Sequence, residues 1–102
     1  MINNDSRSII LITMLFIRLI KLKRKPNKEA VEAMDKRIKE QKYGGKIHSV
    51  HWTLGRYDLV IYGEAPDEKA ALRASFEAFD VGAIETLVAI PREEALKAVG
   101  LR

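Results

Sequence analysis

Seven side chains have the types and spacing to do chemistry in one shared hollow: Ser49, His51, Thr53, Asp58, Tyr62, Glu64 and Glu85. A histidine, carboxylates and a phenol brought together can exchange protons with a bound molecule. His51 and Asp58 are the candidates for catalysis, with His51 as base and Asp58 or Glu64 orienting it. Asp58 also has a structural reading. An aspartate just after a tight turn commonly accepts hydrogen bonds from nearby backbone N–H groups or a hydroxyl. His48 and His51 stand three residues apart, so on a strand they point to opposite faces and cannot share a metal. The sequence has no compact metal-ligand spacing, nucleophile elbow, phosphate-binding glycine loop or dinucleotide fingerprint. No metal and no cofactor is expected.

Most of these residues flank the tetrapeptide Gly55-Arg56-Tyr57-Asp58, which separates two alternating apolar runs, residues 46–54 and 57–65. A two-residue Gly55-Arg56 loop suits a hairpin turn that wants glycine first. That register pairs Trp52 with Leu59, Val50 with Ile61, and His48 with Gly63 on one face. The other face carries Thr53 with Asp58, His51 with Val60, Ser49 with Tyr62, and Ile47 with Glu64. The first set is apolar and belongs under helices, with Trp52 and Tyr57 as core aromatics. The second is mixed in polarity and belongs on an open sheet face.

The flanking elements follow from periodicity. Residues 10–19 are apolar on both parities, which marks a central strand covered on both sides. Residues 21–25 read as a polar loop. Asn27 is a good N-cap for a helix reaching about Tyr43, with Val31, Met34 and Ile38 on its buried stripe and Gly44-Gly45 ending it. Pro66-Asp67 opens a second helix to about Phe79, whose stripe is Leu72, Phe76 and Phe79. A fourth strand covers residues 83–90, and Pro91 opens a short helix over 92–99. The order β-α-β-β-α-β gives an α+β, ferredoxin-like sandwich. Its four-stranded antiparallel sheet carries two helices on one face, plus the short C-terminal helix. Residues 1–9 read as a flexible tail and 10–102 as a single domain.

At 102 residues the chain is long enough for one domain with a modest core, not two. It has no cysteine, so disulfide stapling and thiolate metal sites are excluded, which fits a cytoplasmic protein. The apolar run 9–20 is too short to span a bilayer and is interrupted by Arg18, so no membrane is expected. Much of the net charge of +4 lies in Arg18, Lys21, Lys23, Arg24, Lys25 and Lys28. This segment reads as a solvated loop. The rest is nearly balanced, and the third strand lacks the aromatic pattern of RNA-binding sheets. Nucleic acid is therefore not an expected partner.

A strand that is apolar on both faces leaves a problem, because two helices cover only one face. Either the short C-terminal helix covers part of the open face or, the favoured solution, a second copy packs sheet against sheet and leaves a polar-lined hollow between the two. The expected protein is a homodimeric α/β-barrel that binds a small organic or amino-acid-like ligand in that hollow. The alternative is a cofactor-independent enzyme of monooxygenase or isomerase type on the same barrel.

The motifs Gly55-Arg56-Tyr57-Asp58, Leu59-Val60-Ile61, Glu64-Ala65-Pro66-Asp67 and Ile84-Glu85-Thr86-Leu87, with Gly44-Gly45-Lys46, carry a resemblance. Over residues 13–96 the chain resembles the GYD domain family. The resemblance implies a ferredoxin-like, dimeric α/β-barrel. It implies no established activity and brings no catalytic residues. More distantly, the chain is similar to the effector-binding domain of leucine-responsive transcription regulators. Those domains place a Gly-x-Tyr-Asp turn before strand three and bind small molecules such as amino acids at subunit interfaces. The basic segment 18–28 is too short to replace a DNA-binding domain, so a stand-alone version is expected.

Overall fold

The computed structural model describes residues 13–102, and the expected flexible tail lies outside them. Four strands form: β1 (Met14–Leu22), β2 (Lys46–Trp52), β3 (Leu59–Ala65) and β4 (Gly82–Ala89). Three helices accompany them: α1 (Lys28–Glu40), α2 (Glu68–Glu77) and α3 (Arg92–Ala98). The sheet order is β2-β3-β1-β4, with every neighbouring pair antiparallel. This is the ferredoxin-like arrangement, with β1 and β3 in the middle. Side-chain caps start both long helices. Asn27 accepts from the Ala30 N–H at 2.8 Å, and Asp67 accepts from the Ala70 N–H at 2.9 Å. α1 ends three residues before the expected Tyr43, with Gln41 in the left-handed region (φ 45°) as its cap.

Period-two alternation decides the two faces of β1. Phe16, Arg18 and Ile20 are buried toward the helices. With Leu59, Ile61 and Ala65 of β3, and Ala70 and Ala71 of α2, the apolar members form the core. Arg18 thus lies inside a strand and is only 7% exposed, not in a solvated loop as the charge run suggested. Lys21 also belongs to β1. α1 keeps Val31, Met34 and Ile38 half-buried as expected.

α2 turns the other way. Ala70, Ala71 and Ser75 are its buried residues, while Leu72, Phe76 and Phe79 are exposed, Phe76 at 62%. Periodicity finds an apolar stripe but does not say whether a neighbouring stripe of small residues packs instead. Small side chains let the helix approach the sheet closely.

The β2·β3 register holds from Trp52–Leu59 to Ser49–Tyr62 and then slips. A bulge between Ile47 and Ser49 sets Ile47 opposite Gly63 and Lys46 opposite Glu64, not His48 and Ile47 as strict alternation required. Ile47 therefore packs against the core, and His48 joins the open face. Gly63 makes room for this. A Cβ there would lie 2.6 Å from the Lys46 carbonyl oxygen and 3.0 Å from the Phe16 ring.

The two hairpin aromatics leave the core. Trp52, at the end of an edge strand, is 54% exposed beside Lys25 and Pro26. Tyr57 is half-buried and bonded to Glu85. The expected two-residue loop is longer: backbone pairing ends at Thr53–Asp58 and encloses residues 54–57, within which Gly55 adopts φ 114°, a conformation glycine takes without strain.

Adding the methyl in Gly63→Ala forces the bulge and the Phe16 ring apart. It should lower stability by about 1–3 kcal/mol in urea unfolding. A wild-type midpoint would contradict this account of the bulge.

Candidate functional site

The face of the sheet away from α1 and α2 is organised in rows across the strands. One row reads His51, Val60, Leu19, Glu85, and the next Ser49, Tyr62, Ile17, Leu87. A third runs Glu64, Leu15, Ala89. The β1 member of each row is apolar, and the polar groups sit on the other strands: Ser49 and His51 on β2, Tyr62 and Glu64 on β3, Glu85 on β4. His51 and Glu85 are three strand spacings apart, about 14 Å. Within one copy, the seven candidate residues do not meet in a single cluster.

They divide into three groups and two less connected residues. At one end of β3, the His48 Nε2 lies 2.7 Å from a Glu64 carboxylate oxygen, and its ring centroid is 5.3 Å from that of Tyr62. Near the turn, the Tyr57 hydroxyl donates to Glu85 at 2.6 Å. Thr53 and Asp58 form the third group. Ser49 is half-buried beside Tyr62, and His51 is exposed without a hydrogen-bond partner among the described residues. Sequence reasoning missed His48, because the bulge that turns it over is invisible to strict alternation. A glycine inside a strand, Gly63, was the available signal.

The third group fastens the hairpin to β1. Asp58 Oδ2 accepts the Leu22 N–H at 2.8 Å and lies 3.6 Å from the Lys21 ammonium. The Asp58 N–H donates to the Ile20 carbonyl at 2.8 Å, and the Thr53 N–H donates to the Asp58 carbonyl at 2.8 Å. The Thr53 hydroxyl donates to the Tyr57 carbonyl at 2.7 Å. The Asp58 carboxylate thus continues a backbone ladder beyond its last strand residue.

The bond to Glu85 holds the Tyr57 phenol above its ordinary range, with burial adding to the effect. A carboxylate that accepts from a neutral phenol resists loss of that proton. The His48–Glu64 pair is an imidazole oriented by a carboxylate, the arrangement of a general base and its positioning group. No group of three histidine, aspartate or glutamate side chains that could hold a metal occurs among the described residues. No helix there is long and apolar enough to cross a membrane.

Residues 20–99 match the GYD domain family. Among solved structures, PH0061 is similar at 22% identity with a TM-score of 0.52. The match covers 78% of this chain and 53% of PH0061, so this chain spans about half of that protein's length. The 30S ribosomal protein S6 from Thermotoga maritima is similar at 13% identity with a TM-score of 0.56, over 86% of this chain and 98% of its own. These likenesses concern the fold. No curated protein matches the chain.

Asp58→Ala leaves the Leu22 N–H without its acceptor and should cost about 1–3 kcal/mol in chemical denaturation. Asp58→Asn, which keeps one acceptor oxygen, should lose less. Equal stability of all three proteins would contradict the fastening role. Glu85→Ala should shift the Tyr57 phenolate absorbance to lower pH. Because Tyr57's folded value is raised, the contact stabilises the fold below the ordinary tyrosine range and is lost as Tyr57 ionises in alkali. An unshifted titration would contradict the bond.

Proposed function

The chain belongs to the GYD domain family, and we propose that it is a homodimeric binding module whose two open sheet faces meet around a small organic ligand. The observation that carries this reading is the uncovered apolar middle of that face. Leu15, Ile17 and Leu19 of β1 are only half-buried, and Leu87 beside them is 43% exposed. Both long helices stand on the other side, where they face Phe16, Ile20, Leu59 and Ile61. A contiguous apolar strip rimmed by polar groups is the surface that self-association buries.

A two-fold axis along the strands sets the β2 edge of one protomer over the β4 edge of its partner. His51 then faces the Tyr57–Glu85 group across the interface, and the His48–Tyr62–Glu64 group occupies the neighbouring rows, over Leu87 and Ala89 of the partner subunit. Ser49, Thr53 and Asp58 complete the walls of the hollow. Such a hollow offers apolar area from β1 and a few polar groups that fix orientation, the usual make-up of a small-molecule site. The reading places the protein in the cytoplasm, with its own copy and a small organic molecule as partners.

One observation favours an enzyme on the same barrel. His48 is held by Glu64 as a base would be, whereas His51, the base that alternation suggested, has no such carboxylate. The enzymatic reading therefore moves to His48.

Sedimentation at micromolar concentration should report twice the 11.6 kDa chain mass. Ile17→Asp, which sets a charge in the centre of the strip, should give a folded monomer. A wild-type monomer would remove the hollow and this function with it. Thermal-shift screening of the dimer against metabolites should yield a stabiliser whose effect is lost in Tyr62→Ala. If His48→Gln abolishes turnover of that compound, the enzymatic reading replaces simple binding.

A further inference from the structure

Arg18 stands on the opposite side of the sheet from the proposed dimer hollow, and its surroundings have no place in that function. Among the residues described as buried, only Arg18 and Ser75 are polar. The Arg18 guanidinium has neutral neighbours. Its Nε donates to the Thr86 hydroxyl at 3.3 Å and its Nη2 to the Ala71 carbonyl at 3.4 Å, both long bonds. Its central carbon sits 4.5 Å from the Phe16 ring centroid. No carboxylate among the described residues pairs with it. A guanidinium stays charged in proteins, and a buried charge without a counter-charge is costly.

This cation lines a cavity of about 150 Å³ between the sheet and the two long helices. Phe16, Ile20, Leu59 and Ile61 form its floor, and Met34 and Ala74 stand on the helix side. At the rim Glu77 is held by its neighbours. Glu77 accepts from the Tyr43 hydroxyl and from Lys42 at 3.2 Å, while Arg37 donates to the Glu77 carbonyl at 3.3 Å. These contacts pull the Glu77 carboxyl below its ordinary range, the Tyr43 bond most strongly. Glu40 and Lys46 also line the pocket but are exposed, and Glu64 is bonded to His48, so Arg18 is the buried charged group of the cavity.

We propose that this interlayer cavity binds a small monocarboxylate with a compact apolar body. The carboxylate would meet Arg18, and the body would fill the apolar floor. An anion supplies the missing counter-charge, and a guanidinium fork fits a carboxylate in bidentate fashion. An apolar cavity of about this volume accommodates a benzene ring, so a benzoate-sized acid matches both features. The site depends on neither the dimer nor its ligand.

Benzoate tests it, with benzamide as the uncharged control. Calorimetric titration of the full chain should show benzoate binding at least tenfold tighter than benzamide. Amide shifts in NMR should cluster on Phe16, Leu59 and Ala71. Arg18→Met keeps much of the apolar stem and removes the charge, so it should abolish that preference. Ala74→Leu keeps Arg18 but fills the cavity, and should abolish benzoate binding in a protein that circular dichroism shows to be folded. Equal binding of benzoate and benzamide, full benzoate affinity in either folded variant, or shifts centred on His51 and Tyr62 would each overturn the proposal. So would the absence of benzoate binding to the wild-type chain.

Discussion

A four-stranded sheet has two faces, and this chain sets its two long helices on one. β1 feels that constraint most, because it runs through the middle and is apolar on both parities. Its even-numbered residues Phe16 and Ile20 are buried under the helices, whereas Leu15, Ile17 and Leu19 remain half-exposed. The polar groups of the open face are arranged around that strip. They sit on the strands flanking β1 or at the turn, where water or a partner can reach them. The hairpin matters because it holds this arrangement in register. Asp58 ties the β2·β3 turn to the end of β1 through the Leu22 and Ile20 backbone groups. That tie extends the β1·β3 ladder, which pairs residues from Met14–Ala65 to Ile20–Leu59 and keeps the strip aligned with its polar borders.

The helix side is filled differently. Leu59 is fully buried and Phe16 nearly so, and full burial of such a side chain contributes about 1.5–3 kcal/mol. The helix layer answers them mostly with alanines, while the large residues of α2 point outward and Phe76 stacks on Phe79. The space between the layers is consequently incompletely occupied, and Arg18 reaches into it. The two sides thus present contrasting chemistry. One is a broad apolar strip edged with mixed polar groups. The other is a narrow apolar recess with a single buried cation.

Much of this was legible in the sequence. The element order, the cap at Asn27, the helix start at Pro66-Asp67, and the register from Trp52–Leu59 to Ser49–Tyr62 follow from alternation and capping chemistry. The remainder fails for identifiable reasons. A bulge adds one residue to a ladder, so alternation alone put His48 and Ile47 on each other's faces. Arg18 counts with the solvated basic segment, because sequence pattern does not foresee a cation buried among neutral groups. α2 carries two adjacent stripes, and hydrophobicity selected the larger side chains over the small ones that pack. For the candidate site, polarity identified residues of the open face and the turn. It could not show that β1 separates them into groups on opposite flanks. A shared face is a weaker statement than a shared site.

The central claim is that two copies cover the strip on β1. The outward residues of α2 offer a competing apolar surface, so the identity of the interface decides the matter. The direct measurement is an isotope-filtered NOE experiment on a mixed sample of labelled and unlabelled chains. The account predicts intermolecular methyl contacts from Leu15, Ile17, Leu19 and Leu87. Contacts from Leu72, Phe76 and Phe79 with none from β1 would contradict it.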